Sequence, residues 1–394
     1  MSLPTRRALA LLIGTVGGLV LSWGIHEARR SPGDEAMQFH DGRKSLAELA
    51  DFMGTGKGGL GARRGPLGHL LLTEPVADRL FNFKVQRMVY DPLTYYRRRP
   101  LQRQRLRWDE HPDGHWFVRT NSLSLREDTE LAPTQPDLRV FVTGDSHVDG
   151  VCNNDESFPH HLELGLSASY PDASVEVLNA AVGGYSFYNY LGVFERFKEF
   201  DMDIFVVTVY GGNDFENISK PYYFWKGEQR PPWNKTWDKV QAGMEIDRPS
   251  MAQGLMPICY FAEHPQLEGP MVKESVRATL ALQRRCQEEE VELLVVYLPS
   301  VFEVDPDFRS ELWAELYEVL GYSEHQLSVT RRQADRYLRE ITAAGIHAVD
   351  LRPGFKVSAE DLYWRQDLHL NLAGQRKTAQ IVLPYLEAAW GRSR

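Results

Sequence analysis

Residues 138–147 read LRVFVTGDSH, an apolar run that ends abruptly in a glycine, an acid and a serine. The β-branched and aromatic run from Arg139 to Thr143 predicts a strand buried on both faces. Working outward from it, the rest of the chain after Pro136 alternates short apolar runs with amphipathic stretches. Further strands are expected at Val175–Asn179, Ile204–Tyr210, Leu293–Pro299 and Ile346–Leu351. Helices are expected at Ser157–Ser169, Phe187–Phe200, Val272–Glu290, Ser328–Ala344 and Ala373–Trp390. Such alternation predicts an α/β fold, a five-stranded parallel sheet with helices on both faces. In an open sheet of this kind ligands bind at the carboxyl ends of the strands, which is where Ser146 falls.

Three other strand ends carry polar groups. The second strand runs into Asn179-Ala180-Ala181-Val182-Gly183-Gly184, and the third into Gly211-Gly212-Asn213-Asp214. A glycine N–H and an asparagine amide are donors able to converge on one oxygen, as stabilisation of a tetrahedral intermediate requires. Taken singly these are also ordinary turn and capping residues. After the fifth strand, DLYWRQDLHLNLAGQRKTA (361–379) brings Asp367, His369 and Asn371 just ahead of the last helix. A serine hydroxyl needs a base to become a nucleophile, and a histidine oriented by a carboxylate is the usual one.

The blocks G-D-S-H (144–147), the glycine after Asn179, G-G-N-D (211–214) and D-x-H-x-N (367–371) together resemble the four motifs of the SGNH, or GDSL-like, hydrolases. The stretch FVRTNSLSLRED (117–128) is similar to the lead-in of bacterial membrane-tethered members. The resemblance implies a flavodoxin-like three-layer α/β/α sandwich and serine ester hydrolysis. It implies Ser146 as nucleophile and first oxyanion donor, Gly184 as second donor, Asn213 as third, and His369 as base oriented by Asp367. The family spacing D-x-x-H is here D-x-H, and Gly183 is able to exchange roles with Gly184. His147 stands where leucine is frequent. His147 and Trp364 are taken as substrate-binding residues, with a structural role for His147 as the alternative.

The remaining sequence bounds this reading. With 394 residues, 43% hydrophobic and 25% charged, the chain has the composition of a globular protein. A net charge of −9 argues against a nucleic-acid partner. Cys152, Cys259 and Cys286 have no C-x-x-C spacing, so no metal or other cofactor is implied; one disulfide or three buried thiols both fit. From Ala8 to Ile25 there is no charge, and Arg6 and Arg7 precede that segment. This predicts an N-terminal membrane anchor or signal segment over residues 1–30, giving a single-pass cell-membrane protein with its catalytic domain outside the cytoplasm, or a secreted or periplasmic one. Residues 31–136 read as a linker and accessory region, and 137–394 as the hydrolase domain with an insertion at about 215–270. The accessory region holds GTGKGGLG (54–61), which lacks the phosphate-loop pattern, and six arginines from Arg97 to Arg107, which read as a solvated face. Tyr222, Tyr223, Trp225, Trp233 and Trp237 in the insertion suit either sugar and acyl contacts or packing. The expected activity is hydrolysis of an acyl ester, of an envelope or extracellular carbohydrate. The alternatives are an O-acyltransferase acting on a glycan and a non-catalytic envelope-binding protein that retains the fold.

Overall fold

The computed structural model describes residues 71–232, 238–240, 252–304 and 318–393. The apolar segment 8–25 and the glycine-rich segment 54–61 lie outside the described residues, as do Trp233 and Trp237. Among the described residues no helix is long and apolar enough to cross a membrane.

Five parallel strands form the central sheet: β5 (Leu138–Thr143), β6 (Val175–Asn179), β7 (Ile204–Tyr210), β8 (Glu292–Leu298) and β9 (His347–Asp350). Their order across the sheet is β6-β5-β7-β8-β9. This is the 2-1-3-4-5 order of flavodoxin-like folds, with a switch point beside the first strand. Every residue of β5 and β7 is buried, as the unbroken apolar runs predict. The register pairs Val142 with Asn179 and Thr143 with Val207, so the loops that carry the polar blocks leave the sheet side by side.

The helices pack in two groups. Phe158–Ser169 lies against Leu372–Ser393, while Glu268–Glu288 lies against both Phe187–Phe197 and Val329–Ala343. At the start of helix Phe187–Phe197 the Asn189 side-chain oxygen accepts the Ser186 N–H at 2.9 Å and the Asn189 N–H donates to the Ser186 carbonyl at 2.8 Å, which satisfies N–H groups that would otherwise be left orphaned. In the last helix the buried Gln375 donates to the His147 carbonyl at 2.9 Å and accepts from the Phe158 N–H at 2.9 Å. That side chain ties the end of the domain to its beginning.

Ahead of the sheet, a short helix (Glu74–Phe81) leads into two antiparallel hairpins. These are β1 (Val89–Asp91) with β2 (Tyr95–Arg97), and β3 (Arg103–Arg107) with β4 (His115–Arg119). Phe81, Phe83, Tyr95 and Tyr96 join the same hydrophobic core as the sheet strands. Gly192 marks how closely the first hairpin approaches: a Cβ there would meet the Leu93 carbonyl oxygen at 2.1 Å. The expectation of a solvated arginine run holds for Arg99, Arg103, Arg105 and Arg107, which are exposed. It is corrected for Arg98, which is buried against Asp149.

The described part of 215–270 is largely helical, with Ser219–Lys226 and Ala252–Glu263 as its main helices. Trp225 stands edge-on to Tyr188 at 4.2 Å, and Tyr222, Tyr223 and Trp225 all pack against the core. All three cysteines are free and buried.

Candidate active site

The serine block is built by a helix start. Asp145 caps the short helix Ser146–Asp149, its carboxylate accepting the His147 N–H at 2.9 Å. Ser146 is therefore the first helical residue, at the carboxyl end of β5. Its Oγ lies 2.8 Å from His369 Nε2, and His369 Nδ1 lies 2.7 Å from Asp367 Oδ2. A carboxylate only accepts, so Nδ1 carries the proton in the neutral ring and Nε2 is left to accept from the serine hydroxyl. Ser146, His369 and Asp367 are 5%, 3% and 2% exposed, so the line is nearly shut off from bulk water. Burial pushes the His369 pKa down, but the charge and hydrogen bond of Asp367, with Asp145 and Asp149 beyond, outweigh it and raise the value above that of an ordinary imidazole.

The tight D-x-H spacing works through backbone conformation. Leu368 adopts φ +60°, the left-handed region that a branched side chain enters at a cost. This turn brings the His369 N–H to Asp367 Oδ1 at 3.1 Å while its ring meets Oδ2. One carboxylate thus orients both the backbone and the side chain of the base. Asn371 accepts the Gly374 N–H at 2.9 Å and so caps the final helix.

The two glycines of the glycine block differ in their bonding. The Gly183 N–H donates to Asp149 Oδ2 at 3.3 Å, whereas the Gly184 N–H has no partner among the described residues. Gly184 has φ +79°, a conformation that favours glycine. Asn213 precedes the short helix Asp214–Asn217, and its side chain interacts with Asp145. An amide nitrogen has two hydrogens, so this interaction leaves one for a substrate oxygen. Burial raises the Asp145 carboxyl to about 6, against the lowering effect of the His147 N–H, His369 and Asn213.

The two residues expected to bind substrate are both buried. His147 is fully buried: its ring stacks on Tyr210 at 3.8 Å and lies 4.8 Å from the His369 ring, and Nδ1 accepts the Leu370 N–H at 3.3 Å. It packs directly behind His369. Trp364 is 7% exposed within a cluster of Trp108, Trp116, Val118 and Val151, and its indole N–H donates to the Val151 carbonyl at 3.2 Å. Its own N–H donates to the His369 carbonyl at 2.7 Å, so it braces the loop that presents the base.

Sequence reasoning missed the polar frame behind the serine. Asp149 accepts both Arg98 Nε, at 2.8 Å, and Arg98 Nη2. Arg126, within 117–128, is wholly buried and donates to the carbonyls of Gly150, at 2.6 Å, and Cys152, and to Asn154 Oδ1 at 3.1 Å. The available signal was an acid three residues after the serine, amid apolar neighbours, with no local cation to match it.

A family model described as the SGNH hydrolase-like domain of the acetyltransferase AlgX matches residues 260–392. No curated protein matches the chain. Among solved structures, the chain is similar to an acetyl xylan esterase at 15% identity and a TM-score of 0.38, over 63% of this chain and 100% of that one. It is similar to a variant of an acetyl-xylooligosaccharide esterase from Geobacillus Stearmophilus at 10% identity and a TM-score of 0.37, over 64% and 94%. It is also similar to a two-domain esterase active on acetylated mannans at 12% identity and a TM-score of 0.34, over 65% and 50%. The family model spans His369 and Asp367, and the structure sets the serine, glycine and asparagine blocks at neighbouring strand ends beside them, so over residues 260–392 the chain is similar to an SGNH hydrolase-like domain.

Proposed function

We propose that the chain is a serine esterase that cleaves an acyl ester through an acyl-serine intermediate. Ser146 Oγ attacks the ester carbonyl carbon as His369 Nε2 takes the hydroxyl proton. The oxyanion is held by the N–H groups of Ser146 and Gly184 and by the Asn213 amide, while Asp367 stabilises the imidazolium. His369 returns the proton to the leaving alkoxide, then draws one from water as it attacks the acyl-enzyme and hands it to Ser146 Oγ as the acyl–oxygen bond breaks and the carboxylic acid leaves. The single observation that carries this reading is the unbroken line Ser146–His369–Asp367 at 2.8 and 2.7 Å. The substrate reading is an acylated envelope or extracellular carbohydrate. It is supported by the uncharged segment 8–25, which we read as an anchor, and is tested by recovery of the full chain, but not of one lacking residues 1–30, with membranes.

A second reading is favoured by the match to an acetyltransferase domain. The burial of Ser146 shelters an acyl-enzyme from water, which suits transfer to a sugar hydroxyl as well as hydrolysis. One experiment addresses both. The chain is mixed with an aryl acetate, with and without an oligosaccharide acceptor, beside Ser146→Ala, and protein and products are analysed by mass spectrometry. An acetyl adduct confined to Ser146 is expected, with free acetate marking hydrolysis and acetylated sugar marking transfer. An adduct that survives Ser146→Ala would sink both readings.

A further inference from the structure

The oxyanion glycine is pinned from outside the four motifs. The Tyr96 hydroxyl, on β2 of the first hairpin, donates to the Gly183 carbonyl oxygen at 3.1 Å. That carbonyl and the Gly184 N–H belong to one peptide group. The chain has no cis peptide among the described residues, so this group is trans and planar, and its N–H points away from its C=O. Fixing the Gly183 oxygen therefore fixes the direction of the Gly184 N–H. Donation to a carbonyl also polarises the amide and makes its N–H a stronger donor.

The same loop is held at the preceding peptide. The Gly183 N–H donates to Asp149 Oδ2, and Asp149 is held by the two nitrogens of Arg98, two residues along from Tyr96. The Tyr185 hydroxyl returns a bond to the Tyr96 carbonyl at 2.5 Å. Residues 96–98 thus grip both sides of Gly183.

We infer that Tyr96, with the Arg98–Asp149 pair behind it, is a positioning residue that aims the Gly184 N–H at the developing oxyanion. The inference rests on the esterase reading and names parts of the site that the four motifs do not contain. Tyr96 touches neither substrate nor reacting atoms; it acts through one peptide plane.

Tyr95 supplies the control. It is equally buried and stacks on Phe81 at 5.4 Å, yet its hydroxyl has no hydrogen-bond partner among the described residues. Steady-state kinetics on an aryl acetate would compare Tyr96→Phe, Tyr95→Phe and Ser146→Ala, each checked by thermal melting. A misaimed donor should cost part of what a lost donor costs, so Tyr96→Phe should lower kcat roughly tenfold at unchanged KM. Tyr95→Phe should match the parent. Because both changes keep the ring, packing loss alone would affect the two alike. Equal kcat in Tyr96→Phe and the parent, equal losses in both tyrosine variants, or a change confined to KM would each overturn the inference. Should Tyr96→Phe fail to fold, Arg98→Lys replaces it: a lysine gives Asp149 one donor centre for two, and a parental kcat there would overturn the inference too. Full activity in Ser146→Ala would instead remove the esterase reading, which separates the two failures.

Discussion

The sheet edge that carries Ser146 and the hairpin region over residues 89–119 achieve order by different means. At the edge, Ser146, Gly184 and Asn213 sit within a few residues of strand ends that the parallel register sets side by side, and His369 joins them from the loop ahead of the final helix. The hairpins have little core of their own. They are held by distant partners: Arg98 by Asp149, Tyr96 by the Gly183 carbonyl and the Thr94 carbonyl by the Asn189 amide, the last two pairs being 87 and 95 residues apart. The edge supplies reacting atoms, while the hairpins supply constraint. A change at the edge should therefore cost chemistry, and a change in the frame should cost stability or aim.

The sharpest way to break that division is at the base. His369→Ala should lower kcat by about 10⁴-fold or more, because without a base the serine hydroxyl keeps its proton. The melting temperature should stay close to that of the parent, and near-parental turnover would end the division. The same residue sets a pH signature. Its base form is neutral and its pKa is raised by Asp367 against the effect of burial, so kcat/KM should fall with acidification through a midpoint above the usual imidazole value of about 6.5. An acid limb below that value would show that Asp367 does not hold the ring.

In the frame, Arg126→Met should reduce stability by about 3 kcal/mol, since it leaves the buried carbonyls of Gly150 and Cys152 without their donor. Urea unfolding checks this, and a parental midpoint would show that the frame does not constrain the fold. The smallest effect should come at Glu127. Burial raises its carboxyl to about 8, outweighing the Asn179 N–H that donates to it at 2.7 Å. The folded state then binds a proton that the unfolded state releases, so stability is highest below the usual carboxyl value of 4.5 and declines towards pH 8. Glu127→Gln should flatten that decline and melt a few degrees higher than the parent near pH 8. A parallel decline in both proteins would place the titration elsewhere.

Much of the edge was legible in the sequence. Ile204–Tyr210 is read to the residue because all seven positions are buried and all but Thr208 are hydrophobic, and the other strand bounds differ from expectation by no more than a residue at either end. Ser146 and Asn213 stood out because each closely follows such a run, and His369 because an acid stands two residues before it just ahead of the last helix. What escaped was whatever depends on contact across the chain. Nothing local to Arg98 tells it from Arg99, one buried and the other exposed, because the difference is made by Asp149. His147 and Trp364 lie beside site residues in sequence, yet side-chain direction turned both inward. Asp367 was legible as an acid but not as a fit, since the D-x-H spacing closes only through the left-handed turn at Leu368.

Gln375 gives the molecule an order of assembly. Its amide joins the carbonyl behind the serine to the first turn of helix Phe158–Ser169, and it does so from the final helix. Ser146 and His369 are themselves 223 residues apart. A nascent chain emerging from the ribosome can build β5, β6 and β7 early, but it holds a serine without a base until its last helix is released and docks. Contacts of such long sequence separation form late, because the entropy of closing the loop must be met first. On the esterase reading the chain is in this sense born silent, and acylation of Ser146 would report that folding has finished.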